Sequence, residues 1–207
     1  MSSKKLDFEF YVAGLKTAIL GLLKNGNPSL IPAQLPMTGV QKFAPYNGEF
    51  NPGDVTSSIK ELASNLPAVL VAYGSGKDRP NAATGTLHGE PIEFEHSCGF
   101  VVIVACNNLR IGAAQRTTTV DRMVSEVRRL LGGVQFEFDV SEAGQPAQME
   151  PLNHTPLMFD GVETLLLLSD LTALAVSVTT SFKEWTANRS VVSAGDVEQI
   201  LLGVSPE

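Results

Sequence analysis

Cysteine is scarce. Cys98 and Cys106 are the only two in 207 residues, and they stand eight apart inside one apolar run. An extended strand of that span separates their Cα atoms by about 26 Å, far beyond disulfide reach, so they read as buried thiols of a reducing compartment. Histidine is equally thin: His88, His96 and His154 are scattered, without the paired-Cys or His-x₃-His spacing of a zinc framework. His96 and Cys98 share one strand face and offer two ligands at most, a pattern that core packing also explains. Cations are the minority, 15 Lys and Arg against 22 Asp and Glu, and a net charge of −7 argues against a dedicated nucleic-acid binder. No apolar run approaches the roughly 20 residues that cross a bilayer. The opening MSSKKLDFEF turns acidic where a secretory signal needs an apolar core, so the expectation is a chain in soluble surroundings with no membrane partner.

What is present suits one well-filled core. Hydrophobic residues make up 43% and charged ones 18%, the balance of a globular protein, and we read residues 1–207 as a single domain. Phe8, Tyr11, Val12, Leu15, Ile19, Leu22 and Leu23 recur at three and four, which predicts a helix ending at Asn25-Gly26-Asn27-Pro28 with Gly26 in the left-handed position. Residues 27–52 are rich in Pro, Gly and Asn and predict an ordered surface loop or extended arm with a binding task, the alternative being disorder until assembly. Asp54 caps a short expected helix through Ser64, and Ala68–Tyr73 reads as the first strand. Cys98–Cys106 is a nearly unbroken β-branched run, typical of a central strand covered on both faces. Two further strands are expected from Val162–Ser169 and from Leu171 onward. In the second, Thr172, Leu174, Val176, Val178, Thr180 and Phe182 alternate with small or polar residues. Residues 186–207 read as a terminal arm. The fold class expected is α/β (α+β): a mixed, largely antiparallel sheet, helices packed on one face, and long loop insertions.

Three motifs bear on chemistry. Val69–Pro80, VLVAYGSGKDRP, looks at first like a strand running into a phosphate loop. The position for the first glycine is Val71, Asp78 follows Lys77 where Ser or Thr should hold Mg²⁺, and Pro80 blocks a helix. A Gly-rich turn is the better reading. Glu93, Glu95, His96 and Cys98 are the candidates for acid/base work, yet strand alternation puts the two Glu on one face with Ser97 and His96 on the other with Cys98. No catalytic residue, cofactor or metal is therefore assigned.

The third is Asn107–Val134, where Val120, Met123, Val124, Val127, Leu130 and Leu131 form a helical stripe with Thr118 or Thr119 as cap and Gly132-Gly133 as stop. Arg110, Arg116, Arg122, Arg128 and Arg129 concentrate positive charge here. Without interleaved aromatics they suit contacts to an acidic protein neighbour better than nucleic acid, although a solvated helix face accounts for the helical ones.

Taken in order, the chain resembles the tail terminator proteins of Mu-like contractile-tailed phages and prophages. The resemblance rests on Leu66–Val71 (LPAVLV), a hydrophobic strand running into Asn108–Arg110 (N-x-R), and an amphipathic helix ending in Arg129–Gly133 (R-x-L-x-G). A Pro-Leu pair (Pro151-Leu152 or Pro156-Leu157) and two closing strands complete it. It covers most of Leu66–Phe182 and departs at the long arm 27–52, the loop 74–90 and the linker expected at 141–156. It implies a non-enzymatic virion protein in the neck region of the tail, assembled in the host cytoplasm. Its subunits form a ring, expected as a homohexamer, that caps the head-proximal end of tube and sheath and meets the tube, sheath and neck or head-completion proteins. Another neck, head-completion or baseplate role is the alternative. Arg110, Arg116, Arg122, Arg128 and Arg129 are then candidate inter-subunit contacts, with Arg122 and Arg129 expected to support assembly. Phe43, Tyr46, Phe50, Lys77 and Arg79 are candidate partner-contact residues on the loops at 27–52 and 74–90.

Overall fold

The computed structural model describes residues 8–27, 34–47, 65–80, 93–107, 119–139, 146–168 and 171–185. Helix α1 spans Phe8–Asn25 and buries Leu15, Ile19, Leu22 and Leu23, the stripe its spacing predicts. It ends as expected: Gly26 has φ +69°, a conformation open to glycine at little steric cost, and its N–H donates to Leu22 O at 2.8 Å. Asn27 and Gln34 then exchange backbone hydrogen bonds of 2.7 and 2.9 Å. Met37 donates its N–H to Leu23 O and is buried in the core beside α1.

Strands β1 (Lys42–Pro45), β2 (Ala68–Pro80), β3 (Glu93–Asn107), β6 (Thr155–Leu167) and β7 (Leu171–Trp185) form one sheet in the order β1-β2-β3-β7-β6. Only the β1–β2 pairing is parallel; the other three are antiparallel. Helix α2, Val120–Leu131, lies with α1 on one face of this sheet. A separate ribbon joins β4 (Glu137–Asp139) to β5 (Met149–Pro151). The expected α+β class, with a mixed and mostly antiparallel sheet and helices on one side, is what the chain adopts.

Alternation decides which residues meet the helices. On β3, Cys98, Phe100, Val102, Val104 and Cys106 face them, and on β7 Val176, Val178 and Phe182 do, with Leu174 packed alongside. The reverse face carries a second, smaller cluster of Leu66, Ala68, Leu70, Ile103, Ala105, Leu171 and Ala173 at the end of the sheet where β3 finishes and β7 begins. Apolar burial on both sides of one end explains the unbroken β-branched run of β3. Each of these side chains contributes about 1.5–3 kcal/mol when fully buried, which makes the helix-side cluster the main source of stability.

Three expectations need correction. The segment 27–52 is not wholly an arm, because Lys42–Pro45 pairs in parallel with Ala68–Val71 and closes one edge of the sheet. The supposed Gly-rich turn is strand: β2 continues through Gly74, Ser75, Gly76 and Lys77 to Pro80, paired with β3 across a register shift between Tyr73 and Ser75. Two extended partners satisfy the backbone there, and the bulge absorbs the irregularity that the glycines announce. The segment 141–156 is likewise not a plain linker, since it contains β5 and the start of β6. The helix expected at 54–64 and the terminal arm at 186–207 lie outside the described residues.

Candidate functional site

Helix α2 is built as its sequence requires. Thr119 has extended backbone and its Oγ1 accepts the N–H of Arg122 at 3.3 Å, satisfying one of the open donors of the first turn. Gly132 N–H donates to Arg128 O at 3.1 Å, and Gly133 follows in the left-handed region at φ +76°. Met123, Val124, Val127, Leu130 and Leu131 are buried, so Asp121, Arg122, Ser125, Arg128 and Arg129 face outward.

Two of these arginines are occupied within the chain. Arg122 Nη2 donates to Thr38 Oγ1 at 2.9 Å and its Nε to Glu126 Oε1 at 3.0 Å, while Glu126 Oε2 accepts the backbone N–H of Thr38 at 3.3 Å. Arg129 Nη2 donates to Leu35 O at 2.8 Å, and Gln34 Nε2 donates back to Arg129 O at 3.4 Å. Together these contacts lash residues 34–38 onto α2. Arg128 is exposed and stands apart from this latch. Arg110, Arg116 and Phe50 lie outside the described residues. Phe43 and Tyr46 are half-buried, Phe43 against the helix-side core and Tyr46 against the reverse cluster. Lys77 is exposed on β2, on whose backbone Arg79 also falls. The structure thus gathers Arg122 and Arg129 with residues 34–38, while Lys77 belongs to β2.

The acid/base candidates diverge as alternation requires. Glu95 Oε1 accepts from Ser181 Oγ at 2.9 Å on the reverse face. His96 is buried on the helix side, stacked on Phe182 with centroids 5.0 Å apart and approached by the edge of Phe8. Burial pushes the Cys98 thiol up to about 12, so it is a poor nucleophile at neutral pH; neither Cys98 nor Cys106 forms a disulfide. Beside Glu95, a shallow depression of about 190 Å³ is lined by Ser97, Thr155, Met158, Thr179, Thr180 and Ser181. It is smaller than the roughly 300–1,000 Å³ of typical small-molecule pockets. Among the described residues, no cluster of three or more His, Cys, Asp and Glu side chains is placed to hold a metal, and no helix is long and apolar enough to cross a membrane.

Neither protein-family models nor curated proteins match the chain. The site has therefore to be read from its own geometry.

Sequence reasoning missed one arrangement. Asn153, fully buried, accepts the Phe136 N–H on Oδ1 at 2.6 Å. Its Nδ2 faces Val134 O at 3.2 Å, Thr155 O at 2.8 Å and Thr180 Oγ1 at 3.2 Å. Thr180 Oγ1 in turn donates to Thr155 O. Since the Glu95 carboxylate takes the proton of Ser181, the 3.1 Å contact between Thr155 Oγ1 and Ser181 Oγ runs with Thr155 as donor. A hydroxyl chain thus links Thr155 through Ser181 to the half-buried Glu95 carboxylate, beside the Asn153 network that fixes the start of β6. The Ser and Thr alternation of β7 was the available signal; Asn153 itself gave none.

Proposed function

We propose that the chain is a structural subunit of a contractile phage tail. It closes a homo-oligomeric ring, expected as a hexamer, that caps the head-proximal end of tube and sheath and joins the tail to the neck of the virion. The observation that carries this reading is the placement of the resembling segments on one sheet and its helix. Leu66–Val71 opens β2, the run ahead of Asn108 is β3, Arg129–Gly133 ends α2, Pro156-Leu157 begins β6, and β6 and β7 are the two closing strands.

The chemistry of the surface agrees with an assembly role rather than a catalytic one. Glu95 and Ser181 bond to each other, and His96 is packed against aromatic rings on the opposite face. Catalysis needs groups that converge on one point, and these lie on opposite faces of the sheet. A ring needs two different patches per subunit that close at a fixed rotation. Arg128 on α2 and the exposed acids of the β4–β5 ribbon, Glu137, Asp139 and Glu150, offer distinct surfaces of opposite charge for that purpose.

The test is a capping assay. Purified protein is added to polymerising tube and sheath subunits, and polymer length is followed by electron microscopy. Capping predicts arrested growth and extra density at one end. Unabated growth with both ends bare overturns the proposal.

A further inference from the structure

Among the described residues the outer edge of β6 is open beyond Leu157, and its character points to a particular kind of partner. At Leu157 that edge is covered, since Leu157 donates its N–H to Val134 O at 2.9 Å and accepts from Gly133 N–H at 3.0 Å. From Phe159 to Leu167, β6 is paired with β7 on one side, and no other described residue pairs with it. Asp160, Gly161, Glu163 and Thr164 are exposed along this stretch, with Leu165 43% and Leu167 72% exposed. Register shifts between Phe159 and Gly161 and between Thr164 and Leu166 bracket four regularly paired residues, Gly161–Thr164. Proteins usually protect such an edge with charged side chains, proline, bulges or a covering element. This stretch has no lysine or proline; its bulges leave a regular four-residue window, and its charges, Asp160 and Glu163, are acidic and so repel acidic strands but not cationic ones.

Charge decides which partner suits it. From Leu130 to Phe182 the chain has no Lys or Arg but seven acids: Glu137, Asp139, Glu142, Glu150, Asp160, Glu163 and Asp170. The other 15 acids balance the 15 cations, so the net charge of −7 resides in this segment. Glu137, Asp139 and Glu150 are exposed on the β4–β5 ribbon, and Asp160 and Glu163 on the open edge. Antiparallel pairing of two copies through this stretch about a two-fold axis would set Glu163 opposite or close to Glu163 or Asp160. Like charges facing each other across a ladder are destabilising. A strand carrying cations meets no such repulsion.

We propose that the outer edge of β6, Phe159–Leu167, accepts an extended Lys- or Arg-bearing strand of a partner protein by β-augmentation. Backbone hydrogen bonds supply affinity, and Asp160 and Glu163 select for cations at the matching positions. The surface stands whether or not the chain caps a phage tail.

The test uses the full chain and three synthetic ten-residue peptides: alternating Val and Lys, alternating Val and Glu, and the Val-Lys peptide with two prolines in place of valines. Binding is followed by fluorescence anisotropy and by amide hydrogen exchange. The expected result is slowed exchange at 159–167 with the Val-Lys peptide, and binding at least about tenfold weaker for each of the other two. Asp160→Lys with Glu163→Lys is expected to reverse the preference toward the Val-Glu peptide with an unchanged melting curve, because both side chains are exposed. Absence of binding by the Val-Lys peptide, equal binding by the proline peptide, or protection elsewhere in the chain overturns the proposal. Protection of 159–167 that grows with protein concentration alone assigns the edge to a second copy and overturns it equally.

Discussion

Replacing Asn153 with Ala removes a fully buried amide that satisfies four polar groups on three segments of chain. Its Oδ1 is the acceptor for Phe136 N–H at 2.6 Å, and its two N–H bonds are shared among Val134 O, Thr155 O and Thr180 Oγ1. In the variant Thr155 O keeps its bond from Thr180. Val134 O likewise keeps the Leu157 N–H at 2.9 Å, so Phe136 N–H is the group left without its partner. A stranded buried donor costs about 1–3 kcal/mol, and this bond is part-buried, so the expected loss is about 2 kcal/mol. For a chain of this size that lowers Tm by roughly 4–8 °C. Asn153→Asp refines the test. It retains the acceptor for Phe136 but turns an oxygen toward Val134 O and Thr155 O, which disfavours the charged form and raises the folded pKa above the ordinary carboxylate range. The folded state then holds more protons than the unfolded one, so the deficit relative to the parent grows as pH rises from about 4 toward 7. Urea titration followed by circular dichroism at several pH values measures both effects. A loss below about 1 kcal/mol for Asn153→Ala with unchanged m would refute the assigned network.

Further predictions concern separate parts of the molecule. Arg129→Ala removes the bond to Leu35 O, an exposed contact worth about 0.5–1 kcal/mol, and should speed amide exchange in residues 34–38 while leaving the sheet unchanged. Gly26→Ala should cost about 2 kcal/mol or more, since the residue sits at φ +69° and a Cβ would run into Gln34 O and lie 2.6 Å from Pro36 N; chemical denaturation measures it. Cys98, buried and with its thiol pushed up to about 12, should react with a thiol reagent at pH 8 only as fast as the chain unfolds. Because the folded chain holds that proton more tightly, its contribution to stability declines as pH rises above about 8.5, the ordinary thiol pKa. Arg128→Glu should weaken self-assembly without loosening residues 34–38, which separates the exposed arginine from the two in the latch.

Where the fold was legible in the sequence, the signal was local. The stripe from Phe8 to Leu23, Thr119 and Gly132 at the ends of α2, and the alternation of β7 each express a periodicity within one element. What escaped depends on partners distant in the chain. Lys42–Pro45 is too short and proline-rich to announce a strand, and becomes one because Ala68–Val71 lies beside it. Gly74–Lys77 has the composition of a turn, yet pairing with Ser97–Gly99 holds it extended. Of the candidate assembly residues, the exposure of Arg128 and Lys77 could be read from amphipathicity and polarity. The latch could not, because Leu35 and Thr38 lie more than 80 residues from the arginines that bind them.

The mass of the purified protein, measured by light scattering on a size-exclusion column and followed by negative-stain imaging, tests the central claim most directly. The account predicts a closed ring of about six copies, the symmetry a capping subunit requires. A monomer that stays monomeric when mixed with its tube and sheath proteins would contradict it.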